Sequence, residues 1–373
     1  MTKDSIQPRR PDAGTIDTHA HVLPQVMVDY LERQGGPSAV GLPSVLPSWS
    51  LGSHLDFMDT WNITSSVVSL TSPALSFGDV SDRRKVAQEV NEYFAGQLIG
   101  ERPTRFGAFA ALPLPDVPGA IAAATYALDT LGLDGVGMLT NYFGKYLGEP
   151  EFRPLLEVLD AREAVVFLHP NTVVPVPEVV GPPGGFGQWT FEYPFDTTRA
   201  VASLIYTGTL DAYPNIRWIL CHAGGAVPYL SFRLATLHAF DPRLNEIAPA
   251  GPLSYLKRFY FETAQAFGKA PLSALREVVE PEQILFGSDY YPVAKLYSPE
   301  NSDLVSLPRD ELPHDGDPAP QLKSLFTADQ QDLIHRENAL DLFPRLAARR
   351  GENPSRALAG VALSTVPQTR RTP

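Results

Sequence analysis

Cysteine is almost missing from this chain of 373 residues, which contains only Cys221. One thiol cannot form an intrachain disulfide or supply the several sulfur ligands of a cysteine-rich metal cluster. Positive charge is also scarce, because 30 lysine and arginine residues stand against 42 aspartate and glutamate residues, for a net charge of −12 and a pI of about 5.1. This balance argues against nucleic acid and against an anionic membrane surface as partners.

Long hydrophobic runs are lacking as well. No segment approaches the ~20 apolar residues of a membrane-spanning helix, and residues 1–14 are polar, unlike a secretory signal. We therefore expect a soluble, intracellular protein of the cytoplasm. With 44% hydrophobic, 10% aromatic and 19% charged residues, the composition is that of a folded enzyme, and the length suits one large barrel or two ordinary domains.

Eight short apolar runs are separated mostly by helix-like stretches, a pattern typical of a parallel sheet covered on both faces. The predicted strands are 15–19, 65–70, 105–112, 135–140, 164–169, 216–222, 258–263 and 284–289. The predicted helices between them are 82–99, 118–131, 152–162, 197–212, 227–239 and 271–279. Eight such alternations predict an α/β fold, a TIM (β/α)8 barrel, over residues 15–346. A doubly wound open sheet is the competing fold, disfavoured because no glycine-rich dinucleotide turn occurs.

Three segments are longer than a minimal barrel requires: 22–62 after the first strand, 171–193 after the fifth and 290–320 after the eighth. All three leave the carboxyl ends of strands, where barrel enzymes build active sites, so we predict insertions that act as lids. Surface insertion without function is the alternative. Residues 1–14 are an N-terminal extension, and residues 347–373, poor in bulky apolar side chains, are expected to form a disordered tail.

Histidines and an aspartate stand at the ends of the predicted strands. His19 and His21 are two residues apart, so on a strand both imidazoles point to one face. His169 closes the fifth strand, His222 the sixth and Asp289 the eighth, and in a barrel these ends meet at one mouth. His19, His21, His169 and Asp289 together offer three nitrogens and one oxygen, a set suited to a divalent transition metal with one position left for water or substrate.

Four motifs resemble those of the amidohydrolase superfamily, specifically its amidohydrolase-related decarboxylase branch, which includes aminocarboxymuconate-semialdehyde decarboxylase. They are Ile-Asp-Thr-His-Ala-His at 16–21, Phe-Leu-His-Pro at 167–170, Cys-His-Ala-Gly-Gly-Ala at 221–226 and Leu-Phe-Gly-Ser-Asp-Tyr at 285–290. The resemblance runs from about residue 15 to residue 343, and within the branch the chain most resembles the 6-methylsalicylate decarboxylase-like group. The motifs are specific for the branch and much less so for the substrate.

The resemblance implies a role for each residue of the cluster. The three-histidine, one-aspartate set would bind one divalent metal per subunit, zinc in preference to manganese, while His222 and Asp289 would manage proton transfer. Arg233 would reach the site of a neighbouring subunit and hold a substrate carboxylate, which implies a homodimer; a surface helix arginine is the alternative. Lys145 lies too far past the fourth strand to match a carboxylated lysine, so a mononuclear site is favoured.

Further candidates follow from position along the chain. Trp49 and His54 lie in the first insertion and Trp189 and Phe191 in the second, where they could line a pocket for a flat ring or simply pack. Glu262 ends the seventh strand and is predicted to orient a metal ligand, with ordinary capping as the alternative. The remaining histidines belong to no cluster and are predicted to lie at the surface: His238, His314 and His335.

The function implied by the resemblance is non-oxidative, metal-dependent decarboxylation (a carboxy-lyase reaction) of a hydroxybenzoate-like aromatic acid similar to 6-methylsalicylate. More broadly, the substrate would be a small aromatic or dienoic carboxylic acid, chelated by the metal through its carboxylate and ortho-hydroxyl. The main alternative uses the same ligands to activate a water for hydrolysis of a lactone, ester or amide. A metal-storage barrel has little support, because storage requires no unligated histidine beside an open coordination position.

Overall fold

A computed structural model describes residues 14–40, 48–171, 188–298 and 307–352. Its eight barrel strands form one sheet in which each strand pairs in parallel with the next along the chain. They are β1 Thr15–His21, β2 Ile63–Ser69, β3 Phe106–Ala110, β4 Gly135–Leu139, β5 Val165–His169, β6 Arg217–Leu220, β7 Phe259–Glu262 and β8 Ile284–Leu285. The predicted TIM barrel is confirmed.

The barrel closes between β1 and the chain that follows β8. The Thr18 amide donates to the Phe286 carbonyl at 2.9 Å, and the Asp289 amide donates to the His19 carbonyl at 2.7 Å. The predicted strand 284–289 is therefore regular only over its first two residues, and the remainder is extended backbone that ends with Asp289 at φ 58°. Strand β1 in turn runs beyond its predicted end at His19 and includes His21.

Helices cover the outside of the barrel. The predicted stripe at 86, 90, 94 and 98 faces inward and is fully buried. The predicted helix 197–212 is divided at Gly208, whose φ of 72° breaks the helical path. The α-helices are α1 Gln25–Arg33, α2 Leu51–Thr60, α3 Val80–Tyr93, α4 Val117–Thr125, α5 Arg153–Asp160, α6 Tyr193–Tyr206, α7 Thr209–Ala212, α8 Val227–Thr236, α9 Leu244–Ile247, α10 Pro252–Leu256, α11 Lys269–Arg276, α12 Leu322–Leu325, α13 Ala328–Asp332, α14 Asn338–Leu342 and α15 Pro344–Arg349. Wider π-helical turns extend several of them, at Phe94–Gly100, Tyr126–Thr130, Gln188–Glu192 and Leu333–Glu337.

The amino-terminal end of the barrel is closed by the last two helices. Side chains from the barrel interior, such as Phe109 and Phe167, form one apolar cluster with Leu340 of α14 and Leu346 of α15. Helix α15 continues through Arg349, past the predicted boundary at 346. The predicted tail therefore begins as helix, and its later part, 353–373, lies outside the described residues.

The long segments after β1, β5 and β8 differ in how much of each is described. The first contains α1 and α2, whereas residues 172–187 and 299–306 of the other two lie outside the described residues. A small antiparallel hairpin, Asn141–Tyr142 with Lys145–Tyr146, follows β4. None of the helices found in the described ranges has both the length and the apolar character needed to cross a membrane.

Candidate active site

Five side chains meet at the carboxyl end of the barrel. The Nε2 atoms of His19 and His21 are 2.9 Å apart, and Oδ1 of Asp289 lies 3.4 Å and 3.2 Å from them, respectively. The ring of His169 is centred 5.4 Å from that of His19 and 4.9 Å from that of His21. His222 completes the group, with Nε2 3.6 Å from the other oxygen of Asp289. Residues separated by up to 270 positions in sequence thus form one cluster, as the strand ends predicted.

The three histidines of the predicted metal set each have Nδ1 occupied on the side away from the centre. The Nδ1 of His169 is 2.8 Å from the Pro170 carbonyl and that of His21 is 3.1 Å from the Ser69 hydroxyl. The Nδ1 of His19 faces a carboxylate. Because a carbonyl oxygen or carboxylate only accepts, Nδ1 of His19 and of His169 carries a proton, and Nε2 is the nitrogen of each ring that faces the centre. Converging imidazole lone pairs beside a carboxylate fit a divalent metal.

Glu262 orients His19 and the backbone of His222 through hydrogen bonds to its carboxylate. Its carboxylate is fully buried, and Oε1 accepts from Nδ1 of His19 at 2.9 Å and from the His222 amide at 2.5 Å. Its Oε2 accepts from the Ala264 amide at 2.6 Å. Gly287 permits the close packing, since a Cβ at that position would lie 2.0 Å from Oε2 of Glu262. Glu262 therefore contacts the outer nitrogen of a metal-set histidine, the position proposed for it from the sequence.

The charges of the cluster follow from burial and from the neighbours of each group. Burial lowers the pKa of His169 well below its ordinary value and also lowers the pKa of His21. Burial likewise opposes charge on His19, but the carboxylates of Glu262 and Asp289 raise the pKa of His19 well above the ordinary range. Burial opposes the charge of Asp289, yet the surrounding imidazoles hold its pKa well below the usual value. The centre thus keeps an ionised Asp289 beside His19, which favours its protonated form, whereas His21 and His169 favour their neutral forms.

His222 differs from the other histidines of the cluster. It follows β6 in a left-handed conformation, φ 54°, which costs a residue other than glycine of the order of 1–3 kcal/mol. Its Nε2 is buried and has no hydrogen-bond partner in the part of the chain that the structure describes. A buried nitrogen without a partner is rare and costly unless a ligand supplies one. His222 is therefore poised for a group that enters the pocket.

A pocket opens from this cluster toward solvent. Trp189, Tyr193 and Tyr291 give it aromatic walls, and His169, His222 and Asp289 lie at its polar end. Among the described residues that line it there is no lysine or arginine. The remaining lining residues, which the sequence did not single out, are Thr71, Ser72, Gln265, Pro292 and Val293. Their only sequence signal was their position just after the ends of β2, β7 and β8.

Three of the four predicted pocket residues lie elsewhere. Trp49 donates from Nε1 to Nδ1 of His54 at 3.1 Å, and His54 is fully buried with Nε2 3.3 Å from the Ser66 hydroxyl. Burial lowers the pKa of His54 to about 3, which keeps it neutral. Phe191 is 50% exposed outside the lining, so only Trp189 occupies the place predicted. Helix α2 turns His54 toward the core, where its hydrogen bond with Ser66 links the helix to β2.

The histidines outside the cluster are less exposed than expected. His335 is 3% exposed, lies 3.2 Å from the Thr15 hydroxyl and stacks on Phe286, which corrects the surface prediction. Its turn faces the bottom of the barrel, a tertiary contact that local polarity did not indicate. His238 and His314 are half-buried and bond to backbone carbonyls.

The two predicted basic residues both lie outside the centre. Arg233 is exposed in the last turn of α8 and does not line this subunit's own pocket. Lys145 is exposed on the small hairpin and forms an ion pair with Glu151 at 2.6 Å. Lys145 therefore lies outside the His/Asp cluster, and the mononuclear site stays a prediction.

The fold and the site define a class of enzyme: a (β/α)8 barrel with histidines and an aspartate gathered at the carboxyl ends of its strands. The chain belongs to the amidohydrolase family, whose profile matches residues 16–345. It is 37% identical to Decarboxylase yanB of Aspergillus niger over 297 residues, which cover 75% of this chain and 78% of that protein. It is 35% identical to the 6-methylsalicylic acid decarboxylase of Penicillium expansum over 290 residues, which cover 74% and 84% respectively.

One solved structure with the same fold is a dihydroxybenzoic acid decarboxylase from Polaromonas sp. JS666, with bound manganese and the inhibitor 2-nitroresorcinol. It matches with a TM-score of 0.68 and 20% identity over 89% of this chain and 97% of that one, a likeness that shows the fold. Decarboxylases at 35–37% identity over most of the chain place this protein among the carboxy-lyases, the class that the motifs implied.

Proposed function

We propose that this enzyme removes CO₂, without oxidation, from a small hydroxybenzoate-like aromatic acid of the 6-methylsalicylate type. The observation that carries the proposal is the pocket: aromatic walls suited to a flat ring lead to a polar end made of His169, His222 and Asp289. Because no lysine or arginine is among the described lining residues, the metal set is the counter-charge that this part of the chain offers to the substrate carboxylate. The activity of the relatives agrees with this reading.

The metal set of His19, His21, His169 and Asp289 would hold one divalent ion. When bound, the ion supplies a Lewis acid for the carboxylate and ortho-hydroxyl of the substrate. Zinc is our first choice because three imidazoles and a carboxylate suit its tetrahedral preference, and manganese is the alternative. Elemental analysis of protein purified without added metal, followed by chelation and reloading with zinc or manganese separately, decides between them through restored activity.

The protein's own groups handle the proton. His222 Nε2, 3.6 Å from Oδ2 of Asp289, would deliver a proton to the ring carbon that carries the carboxylate. The bond to the carboxylate then breaks, its electron pair returns to the ring, and CO₂ leaves, so each turnover consumes one proton. Trp189 and Tyr291 would hold the ring flat and exclude water. Asp289 would keep His222 oriented and stabilise the positive charge of its protonated ring, as a carboxylate beside a general acid commonly does.

The test is direct. The metal-loaded enzyme is incubated with 6-methylsalicylate, 2,6-dihydroxybenzoate and salicylate, and both CO₂ and the phenol product are measured. In D₂O the phenol should carry one deuterium at the vacated ring position. Absence of CO₂ with all three acids contradicts the proposal. Incorporation of ¹⁸O from water into the product of a lactone, ester or amide would instead establish hydrolysis.

The partner proposed for this chain is a second copy of itself. Tyr229, Phe232 and Phe240, on α8 and the turn after it, are 85%, 76% and 81% exposed, and Arg233 lies among them. Large aromatic side chains together with arginine are typical of interface cores and unusual on a monomer surface. A homodimer would cover this face and could bring Arg233 to the neighbouring pocket.

The oligomeric state in solution tests the proposed homodimer. Light scattering during size-exclusion chromatography should give a dimer for the native protein and a monomer for the double variant Tyr229→Ser/Phe232→Ser. The matched control is Phe143→Ser, because Phe143 is 63% exposed on the hairpin after β4, outside α8, and should not affect the mass. A native monomer at micromolar concentration would contradict the proposal. Arg233→Ala should keep the dimer and raise KM for the acid.

A further inference from the structure

Gln265 is an exposed residue whose side chain is nevertheless held inside the pocket mouth. It lies in the turn between β7 and α11, with its backbone in the left-handed region at φ 52°. Its side-chain amide donates from Nε2 to Oδ2 of Asp289 at 2.5 Å. An exposed glutamine ordinarily keeps its rotamer freedom, and a left-handed backbone disfavours any side chain with a Cβ. Gln265 therefore gives up rotamer freedom and adopts an unfavourable backbone conformation, and the result is one hydrogen bond to one oxygen of Asp289.

The hydrogen bond from Gln265 distinguishes the two carboxylate oxygens of Asp289, because each oxygen faces different partners. Oδ1 faces the Nε2 atoms of His19 and His21, the direction of the metal set. Oδ2 receives the Gln265 amide and lies 3.6 Å from Nε2 of His222. A carboxylate can rotate about its Cβ–Cγ bond, and rotation would exchange these oxygens or offer both to a metal. A donor fixed on Oδ2 opposes that rotation.

The turn that carries Gln265 is itself tied to the metal set. The Ala264 amide donates to Oε2 of Glu262 at 2.6 Å, and the Ala266 amide closes the turn on the Thr263 carbonyl at 2.9 Å. The other oxygen of Glu262 holds Nδ1 of His19. One buried carboxylate therefore orients a histidine of the set directly, and orients the aspartate through Gln265.

We propose that Gln265 is a positioning residue that fixes Asp289 with Oδ1 toward the metal set and Oδ2 toward His222. Its loss lets the carboxylate turn, which weakens metal binding and misplaces the partner of His222. The kinetic part of this inference rests on the proposed decarboxylation, whereas the metal-binding part requires only a metal at the His/Asp set. The two parts can therefore fail separately.

The test compares Gln265→Met with the native protein. Methionine has similar length and no donor, so it removes the hydrogen bond with little change in volume. Zn²⁺ and Mn²⁺ are titrated into chelator-treated protein by calorimetry. We expect the metal Kd to rise about 10–100-fold, the range found when groups that orient metal ligands are removed. Because Gln265 is exposed, the Tm of the metal-free variant should equal that of the native protein, which separates the effect from unfolding.

Two comparisons sharpen the result. Gln265→Glu keeps the shape but cannot donate to Asp289 and repels its carboxylate, so at saturating metal it should lower kcat at least as much as methionine does. Gln88→Met is the matched control, because Gln88 also donates to a carboxylate, Oε1 of Glu92 at 2.9 Å, but on the surface of α3. It should leave metal affinity and activity unchanged.

Kinetics distinguish positioning from substrate contact. At saturating metal, Gln265→Met should lower kcat with little change in KM. A native-like metal Kd together with a raised KM would overturn the proposal and make Gln265 a substrate-contacting residue. A native-like Kd, kcat and KM would overturn it as well. If the native enzyme decarboxylates no acid, the proposed function fails, and the metal titration alone still decides the role of Gln265.

Discussion

At the scale of single residues, hydrogen-bond partners assign different tasks to chemically identical side chains. His169 and His19 have Nδ1 bonded to an acceptor and therefore present Nε2 as a ligand atom. Among the described residues, none donates to or accepts from the buried Nε2 of His222 within hydrogen-bond distance. His54 is buried between an indole and a hydroxyl and takes no part in the centre. The tasks follow from what each ring touches.

Replacing His222 should separate proton transfer from metal binding. We expect His222→Gln to lower kcat by about 10²–10⁴-fold, the contribution typical of a general acid, because the amide cannot deliver a proton. Metal content by elemental analysis should remain one ion per chain. His238→Gln, at a half-buried histidine outside the cluster, is the control and should keep native activity. Loss of metal from the His222 variant would show that His222 is a ligand instead.

Gly287 should tolerate no side chain. In Gly287→Ala the new Cβ would lie 2.0 Å from Oε2 of Glu262 and 2.9 Å from Cβ of His19, so one of them must move. We expect a loss of stability of about 1–3 kcal/mol, as for other overpacked sites, and metal affinity lowered about 10–100-fold. Urea unfolding and metal titration measure the two effects.

The control for that substitution lies in a different strand, β4. At Gly137 of β4 an added Cβ would meet atoms only at 3.7 Å and beyond, an ordinary contact distance. Gly137→Ala should therefore bind metal normally. If both alanine variants have the same stability and metal affinity, the close packing of Gly287 against Glu262 is not what holds that carboxylate in place.

At the scale of elements, the two ends of the barrel have different purposes. The carboxyl ends of the strands carry the histidines, the aspartate and Glu262. The amino-terminal end is closed by α14 and α15, whose apolar side chains complete the interior. Arg349 secures α15 by donating to the fully buried carboxylate of Asp134 at 2.9 Å, and the same carboxylate accepts from the Ala108 amide at 3.0 Å. The chemistry at one end therefore depends on packing at the other.

Removing Arg349 should destabilise the barrel in a pH-dependent way. Arg349→Ala leaves the Asp134 charge buried without its partner, a change that costs about 3–5 kcal/mol. Burial already raises the pKa of Asp134 above its ordinary value, even with Arg349 beside it, and the substitution raises the pKa further. The folded state then binds a proton more tightly than the unfolded chain, so stability falls as pH rises through the folded pKa.

The measurement is urea unfolding of the native protein and the variant between pH 5 and pH 8. The difference in unfolding free energy should be larger at the higher pH and should shrink as Asp134 takes up a proton. Arg243→Ala, which breaks an exposed ion pair with Asp241, is the control and should leave stability nearly unchanged at either pH. If the Arg349 variant loses the same unfolding free energy at every pH, the loss comes from the packing of the arginine side chain and not from the charge of Asp134.

At the scale of the whole molecule, the predicted metal set joins the first strand of the barrel to the segment that follows its last strand. His19 and His21 come from β1, whereas Asp289 comes from the extended segment that closes the barrel against β1. A metal bound by these residues would fasten the closure directly. The homodimer and the cytoplasmic location stay predictions, since a single chain tests neither.

Removal of the metal should therefore lower the stability of the entire barrel. A ligand present at 100 times its Kd stabilises the folded state by about 2.7 kcal/mol. We expect chelation to lower the Tm, and addition of zinc or manganese to restore it. Differential scanning calorimetry measures both steps. His169→Ala should unfold at a Tm that does not respond to either metal; a native-like response from that variant would contradict the proposed ligand set.

The sequence alone determined the architecture and which histidines and aspartate meet at the carboxyl end of the barrel. Apolar runs alternating with amphipathic helices specify strands and outer helices, and a barrel necessarily brings the ends of its strands together. His19, His21, His169, His222 and Asp289 could therefore be selected before any coordinates existed. Glu262 could be selected for the same reason, because it also ends a strand. These inferences depend on local periodicity and on one geometric property of the fold.

Only the tertiary structure decided which other side chains reach that centre. Trp49, His54 and Phe191 looked suitable because aromatic residues in long insertions often line pockets, but the direction of α2 sends His54 into the core. Gln265 gave no signal, since an exposed glutamine after a strand is ordinary until a left-handed turn aims it at Asp289. Side-chain direction in irregular segments depends on contacts distant in sequence, and no local pattern encodes them.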